Sequence, residues 1–326
     1  MNQIIIDTIP LQLAYPENAD TPWIGMNEYL EDIMACWSLL HKKDLPLTPR
    51  IMGKPGVGKT TLAIAAARQY GRPAYVYQCT MDTRPEDLLI TPFINQNQQI
   101  SYFAGPIVSA MINGGVAILD EGNRMSEKAW ASLAALLDHR RSIESMLTGL
   151  KIQAHPDFRC CVTMNDDAST YEIPEYILSR LQPRIFIDFP PEEEERQILK
   201  THVEFAEETL LDLVVKYLQH AHELDLDFST RDGIHLLRYT LRLKNQRPHL
   251  SELDLFTRAI AKILGDEALN PDDYANKRRL KLPNEKIDFG QWQDNFKNYS
   301  QGFQALDDFL NNNPFANDPD RDDELV

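Results

Sequence analysis

A short apolar run ending at Ile51-Met52 is joined to a helical pattern, Thr60 to Tyr70, by Gly53, Lys54, Pro55, Gly56, Val57, Gly58, Lys59 and Thr60. These residues match G-x-x-x-x-G-K-[ST] at every position, and Thr61 follows. Glycines at these places let backbone N–H groups turn inward around phosphate oxygens, and the helix N-terminus adds positive potential. Lys59 supplies a point charge for the β- and γ-phosphates, and the Thr60 hydroxyl can ligate Mg²⁺. Strand, loop and helix in this order predict a parallel sheet with crossover helices. The rest of the first 190 residues repeats the pattern. Ala74–Cys79, Val116–Leu119, Cys160–Met164 and Arg184–Phe189 are rich in strand formers and alternate with helical periodicity.

A phosphate loop does not say what happens to the nucleotide. The second signal is Val116-Ala-Ile-Leu-Asp120-Glu121, an apolar strand ending in two acids about 60 residues further on. Asp120 is placed to hold Mg²⁺, directly or through water. Glu121 can polarise an attacking water, the task of a general base. Together the two motifs point to hydrolysis of a nucleoside triphosphate.

Composition removes other classes. With 43% hydrophobic and 25% charged residues, the 326-residue chain has material for a buried core. A net charge of −16 argues against direct gripping of nucleic acid or of an anionic membrane. The four cysteines form no C-x-x-C pair, so neither a disulfide framework nor a zinc site is expected. Leu88 to Leu119 carries no charge, but Gln96, Asn97, Gln98, Pro106 and Asn113 interrupt it, and it is not read as a membrane span. Without a basic leader at Met1, the reading is a soluble, cytoplasmic protein.

After Pro190-Pro191 the texture changes. Glu192 to Gly265 holds no strand pattern and predicts four helices. The organisation read from sequence is an N-terminal arm (1–22), an α/β nucleotide-binding domain (23–190), an all-helical domain (191–268) and an acidic C-terminal extension (269–326). From Asp307 onward seven acids face one arginine, the composition of a solvated, disordered tail. Trp292, Phe296, Tyr299, Phe303, Leu306 and Leu310 mark an amphipathic helix that docks either on its own chain or on a neighbour.

The order of these features resembles an AAA+ ATPase of the MoxR and dynein-related branch, over roughly Trp23 to Leu264. The fold this implies is a P-loop parallel sheet sandwiched by helices, followed by a small helical lid. Ile24-Gly25 resembles the family's opening I-G, where apolar groups pack near adenine. Asp120-Glu-Gly-Asn-Arg124 resembles its D-E-x-N-R box. Asn165 matches sensor 1, which positions the hydrolytic water. Arg180, in Leu178-Ser-Arg180, is placed as the arginine finger that reaches a neighbouring subunit's nucleotide, with Arg184 as second choice. Arg231, in Ser229-Thr-Arg231, matches sensor 2, which contacts the nucleotide from the lid.

The resemblance implies ATP and Mg²⁺ as ligands and a homo-oligomeric ring of six. It further implies remodelling or chaperone-like activation of a client, or of a partner with a von Willebrand factor A domain. Thr91 to Phe103 and Ser142 to Gln153 read as hairpins of the kind that face the channel or client in this family; ordinary surface hairpins fit the residues equally well. Two departures mark the chain. Gly122 stands where the box carries an apolar residue. Met164-Asn165 lies nearer the form in midasin, dynein and McrB-type GTPases, so a McrB-like motor subunit of a nucleic-acid or defence complex is the alternative function. A nucleotide-dependent switch with little turnover is a third reading, disfavoured because a pure binder needs none of Glu121, Asn165 and Arg180.

Overall fold

The computed structural model describes residues 3–18, 22–95, 97–166 and 172–281, with side chains up to 276. From the amino end come β1 (Gln3–Ile6), β2 (Ile9–Leu13), α1 (Asn27–Trp37), β3 (Arg50–Gly53), α2 (Lys59–Gln69), β4 (Ala74–Gln78), α3 (Pro85–Leu88), β5 (Ile90–Ile94) and β6 (Ile100–Ala104). Next are α4 (Pro106–Asn113), β7 (Val116–Asp120), α5 (Glu127–Leu133), β8 (Ser142–Glu144), β9 (Lys151–Gln153), β10 (Arg159–Asn165), α6 (Glu175–Leu178) and β11 (Arg184–Ile187). The chain continues as α7 (Glu192–His202), α8 (Glu208–Glu223), α9 (Thr230–Gln246), α10 (Glu252–Ile263) and α11 (Pro271–Lys281).

The central sheet has the order β11-β3-β10-β7-β4, and every neighbouring pair is parallel. Its strands are apolar on both faces because helices cover both. Ile51, Ile118, Cys161 and Ile185 pack with α1 and α2, while Leu119, Cys160 and Val162 pack with α4 and α5. One fully buried tryptophan anchors each layer, Trp37 on the first and Trp130 on the second. The parallel α/β class expected from the sequence is the fold observed.

Register decides what meets at the carboxyl end of this sheet. Asn165 pairs with Gly53, and Val162 with Leu119, so the ends of β3, β10 and β7 converge on one edge. That edge is where open parallel sheets bind ligands.

Both predicted hairpins are present, as β5–β6 and β8–β9. The first joins a sheet absent from the sequence reading. Residues 3–13, read only as an arm, form the hairpin β1–β2, and β2 adds parallel to β6 in the order β1-β2-β6-β5. The turn residues Asp7 and Thr8 take left-handed backbone angles (φ 44° and 72°) with no glycine to advertise them. Leu11 and Leu13 are buried against Ile90, Ala104 and Ile107.

Helices α7 to α10 bury a cluster of their own around Leu199, Leu211, Leu218, Leu237 and Phe256. A Cβ on Gly233 would come within 2.6 Å of Leu218 Cδ1, so glycine lets α9 approach α8 closely. The sequence reading placed no helix at α11. The aromatic stripe from Trp292 to Leu310 and the acidic run from Asp307 lie outside the described residues.

Candidate functional site

The loop Gly53–Gly58 has the backbone its sequence asks for. Gly53, Gly56 and Gly58 have φ of 154°, 83° and 96°, of which the latter two lie well inside the region that favours glycine. The Lys59 ammonium donates to the carbonyls of Gly53 (2.9 Å) and Lys54 (2.8 Å), which holds it under the loop. Lys54 points the other way, pairing with Asp225 and Asp227 at 3.3 and 3.0 Å.

At the ends of the neighbouring strands, one oxygen of Asp120 accepts from the Thr60 hydroxyl (2.5 Å) and the Thr163 hydroxyl (2.6 Å). Thr163 in turn accepts from the Glu121 N–H at 3.0 Å. Thr163, which links the ends of two strands, carries no local signal in the sequence; its register beside Asp120 is a tertiary fact. Glu121 has a left-handed backbone (φ 55°), an uncommon conformation for a residue with a side chain, and it turns the carboxylate off the strand axis. Its Oε1 accepts from the Asn165 amide at 3.2 Å, and its Oε2 lies 2.6 Å from Arg124 Nε as a charge contact. The Asn123 amide donates to the Asn165 carbonyl (2.8 Å) and ties the D-E-x-N-R turn to β10. A Cβ on Gly122 would meet Val162 Cγ1 at 2.4 Å, so close packing under the turn explains the missing apolar residue of that box.

One cavity is lined by Pro55, Gly56, Gly58, Lys59, Thr60, Thr61, Asp120, Glu121, Thr163, Asn165 and Arg231. Loop, strand acids, Asn165 and the lid arginine, drawn from Pro55 to Arg231 along the sequence, thus meet in one place. An adjoining apolar cavity is lined by Trp23, Ile24, Val57, Thr61, Ile198, His202 and Ile234. Gly25 bends the chain beside it at φ 72°, and Glu194 Oε1 accepts from the Met26 N–H at 3.0 Å. The donor set fits the nucleotide and ion that the motifs imply. A glycine loop with left-handed turns and an ammonium suit phosphates, and an adjacent hydroxyl and carboxylate suit a Mg²⁺ completed by phosphate oxygens. Among the described residues no three His, Cys, Asp or Glu converge as metal ligands.

Arg180 is not part of this cavity. It lies beside a separate recess lined by Leu136, Asp138, Arg141, Phe158 and Arg159. Its guanidinium donates to the Tyr176 carbonyl and sits 3.7 Å from Asp138. Hydrogen bonds from Arg140 hold the Asp138 carboxyl down at about 2. Arg184 opens β11 opposite Arg50. The four cysteines are buried and free; burial pushes Cys36 up to about 11 and Cys160 up to about 12, so neither is a nucleophile at neutral pH. No described helix is long and apolar enough to cross a membrane.

The family model "AAA domain (dynein-related subfamily)" matches residues 51–182. An uncharacterized protein of Staphylococcus saprophyticus is 26% identical over 220 residues, 66% of this chain and 80% of the relative. One of Staphylococcus aureus is 32% identical over 127 residues, 38% of this chain and 48% of the relative. The chain therefore spans between about half and four fifths of these relatives. Among solved structures, one variant of Thermotoga maritima RuvB superposes with a TM-score of 0.53 at 15% identity, over 78% of this chain and 76% of that one. A second reaches 0.50 over 73% and 69%, again at 15% identity, a likeness of fold alone. Residues 51–182 are thus similar to the AAA domain of the dynein-related subfamily, and the fold around them is similar to that of the RuvB structures.

Proposed function

We propose that the chain hydrolyses ATP in a ring of its own copies and uses the cycle to remodel a protein client. The observation that supports this most is the meeting of Lys59, Thr60, Asp120, Glu121, Asn165 and Arg231 in one cavity. In this reading the loop N–H groups and Lys59 bind the phosphates, and Ile24 and Gly25 with Trp23 take the base. Thr60 and Asp120 hold Mg²⁺, which when bound neutralises charge on the phosphate oxygens. Glu121 accepts the proton of the attacking water, and its Asn165 contact orients that water. Arg231 brings a positive charge from the lid. Arg180 acts in trans on a neighbour's nucleotide. The domain bounds 23–190 and 191–268, read from the change of texture after Pro190-Pro191, and a cytoplasmic setting, read from composition, belong to the proposal; a six-membered ring and a MoxR-like role with a von Willebrand factor A partner join it on resemblance.

A mixing experiment tests the assembly. An arginine supplied in trans is worth roughly 10³ to 10⁵ in rate in other nucleotidases. Arg180→Ala alone is expected to bind ATP and turn it over at a small fraction of the wild-type rate. Mixed with Glu121→Gln subunits, which keep the arginine but lack the base, it regains activity as protein concentration rises. A mixture that co-assembles and stays inactive moves the role to Arg184. Full turnover by a monomer removes the ring. A higher rate with GTP than with ATP favours the McrB-like alternative.

A further inference from the structure

Helix α7 opens on four consecutive glutamates, and the last of them, Glu195, is fully buried. Its Oε1 accepts from the Thr230 hydroxyl at 2.9 Å, and its Oε2 accepts from the Gln219 amide at 2.7 Å. One carboxyl thus ties the start of α7 to α8 and to the start of α9. His222 Nδ1 lies 4.0 Å from Oε2, with no hydrogen-bond partner of its own, while His222 Nε2 contacts the Phe228 carbonyl at 2.7 Å. That contact places the ring proton on Nε2 and leaves Nδ1 an acceptor facing the carboxyl. Burial pushes Glu195 up to about 7 despite its two donors.

Stability does not account for a carboxyl at this position. Glu195 shares the inner face of α7 with Leu199, and replacing buried ionic groups by well-packed apolar ones is often neutral or stabilising. What the carboxyl supplies is geometry. The residues flanking Thr230 both lie against Gly56 of the loop. Ser229 stands so near the phosphate loop that a Cβ on Gly56 would meet its Oγ at 2.3 Å, and Arg231 lines the cavity beside Lys59 and Glu121.

We propose that Glu195 is a positioning residue for Arg231: by holding Thr230 it sets the angle at which the start of α9 presents the arginine to the phosphates. The inference rests on Arg231 contacting nucleotide, as proposed above. ATP and ADP affinities are measured on the full chain in a Glu121→Gln background, so that ATP persists. Arg231→Ala is expected to weaken ATP about tenfold more than ADP, the scale of one charge-assisted hydrogen bond. Glu195→Ala and Thr230→Val should reproduce that ATP-selective loss, and Glu195→Ala combined with Arg231→Ala should add nothing. Thr230→Ser, which keeps the hydroxyl, and Glu195→Gln, which keeps an acceptor for it, should retain the selectivity. Equal loss of ATP and ADP in Glu195→Ala and Thr230→Val, or additive losses in the double variant, overturn the inference and leave Arg231 standing. An unchanged ATP/ADP ratio in Arg231→Ala overturns the role of Arg231 as well.

Discussion

Asp120-Glu121 and Glu194-Glu195 are two pairs of neighbouring acids in different settings, the first lining the cavity and the second behind it in α7. The first ends a strand, faces the cavity, and is held by side chains that are themselves placed for phosphate chemistry: Thr60, Thr163 and Asn165. The second sits in the first turn of a helix and faces inward, Glu194 toward the Gly25-Met26 bend and Glu195 toward Thr230. Glu194 thus holds the bend before α1 and Glu195 the start of α9, so one turn of α7 ties both down. A carboxylate that lines a cavity is open to a ligand. A buried one acts through the backbone it fixes.

The sharpest break of this comparison is Glu121→Gln. Loss of a general base is expected to lower turnover by about 10² to 10⁴ while leaving ATP binding and thermal stability nearly unchanged. Steady-state hydrolysis beside a binding isotherm checks this, and wild-type turnover would remove the base role from Glu121.

Glu195→Gln should do the reverse, with modest effect on turnover and a pH-dependent effect on stability. The folded carboxyl is raised from 4.5 to about 7, so the native state holds the proton more tightly than the unfolded chain. The associated stability is fully present below about pH 4.5 and is lost as pH rises through about 7. His222 faces the pair, with Lys54 and Asp188 acting on His222 from beyond it. Relative to wild type, Glu195→Gln should gain up to about 3 kcal/mol between pH 4.5 and 8, read from denaturant midpoints. Parallel pH curves for the two proteins would show that the carboxyl does not carry the shift.

A third substitution strikes the contact between the loop and the start of α9. Gly56→Ala places a methyl against Ser229 and asks alanine to hold φ 83°, at a cost of roughly 1 to 3 kcal/mol. Weaker nucleotide binding with a lowered melting temperature is the expected result. The smallest effect belongs to Lys54→Ala. Its pairs with Asp225 and Asp227 are partly exposed, so below about 1 kcal/mol should be lost, and less in high salt.

How much of this was legible follows from where each determinant lies along the chain. Gly53 to Thr60 and the strand ending at Asp120-Glu121 are contiguous, and their chemistry depends on local backbone geometry, so the residues announce it. Asn165 and Arg231 were reachable only through their order behind those motifs. Thr163 carried no signal, because its part depends on the register of β10 against β7. Glu195 was hidden in a run of four glutamates that reads as a solvated face. Its spacing of three and four from Ile198 and Leu199 was the one available clue.

The sequence by itself determined the phosphate loop, the strand acids, the parallel α/β class and the change to helices after Pro190. Each is encoded in neighbouring residues through backbone freedom, apolar periodicity or turn chemistry. Only the tertiary structure decided that residues 3–13 extend the β5–β6 hairpin into a four-stranded sheet, and that Arg180 rests by Asp138 outside the cavity. The same holds for the one glutamate of four that becomes the inner brace of the lid. Burial and charge pairing are properties of neighbours brought from far along the chain, and no local pattern of residues records them.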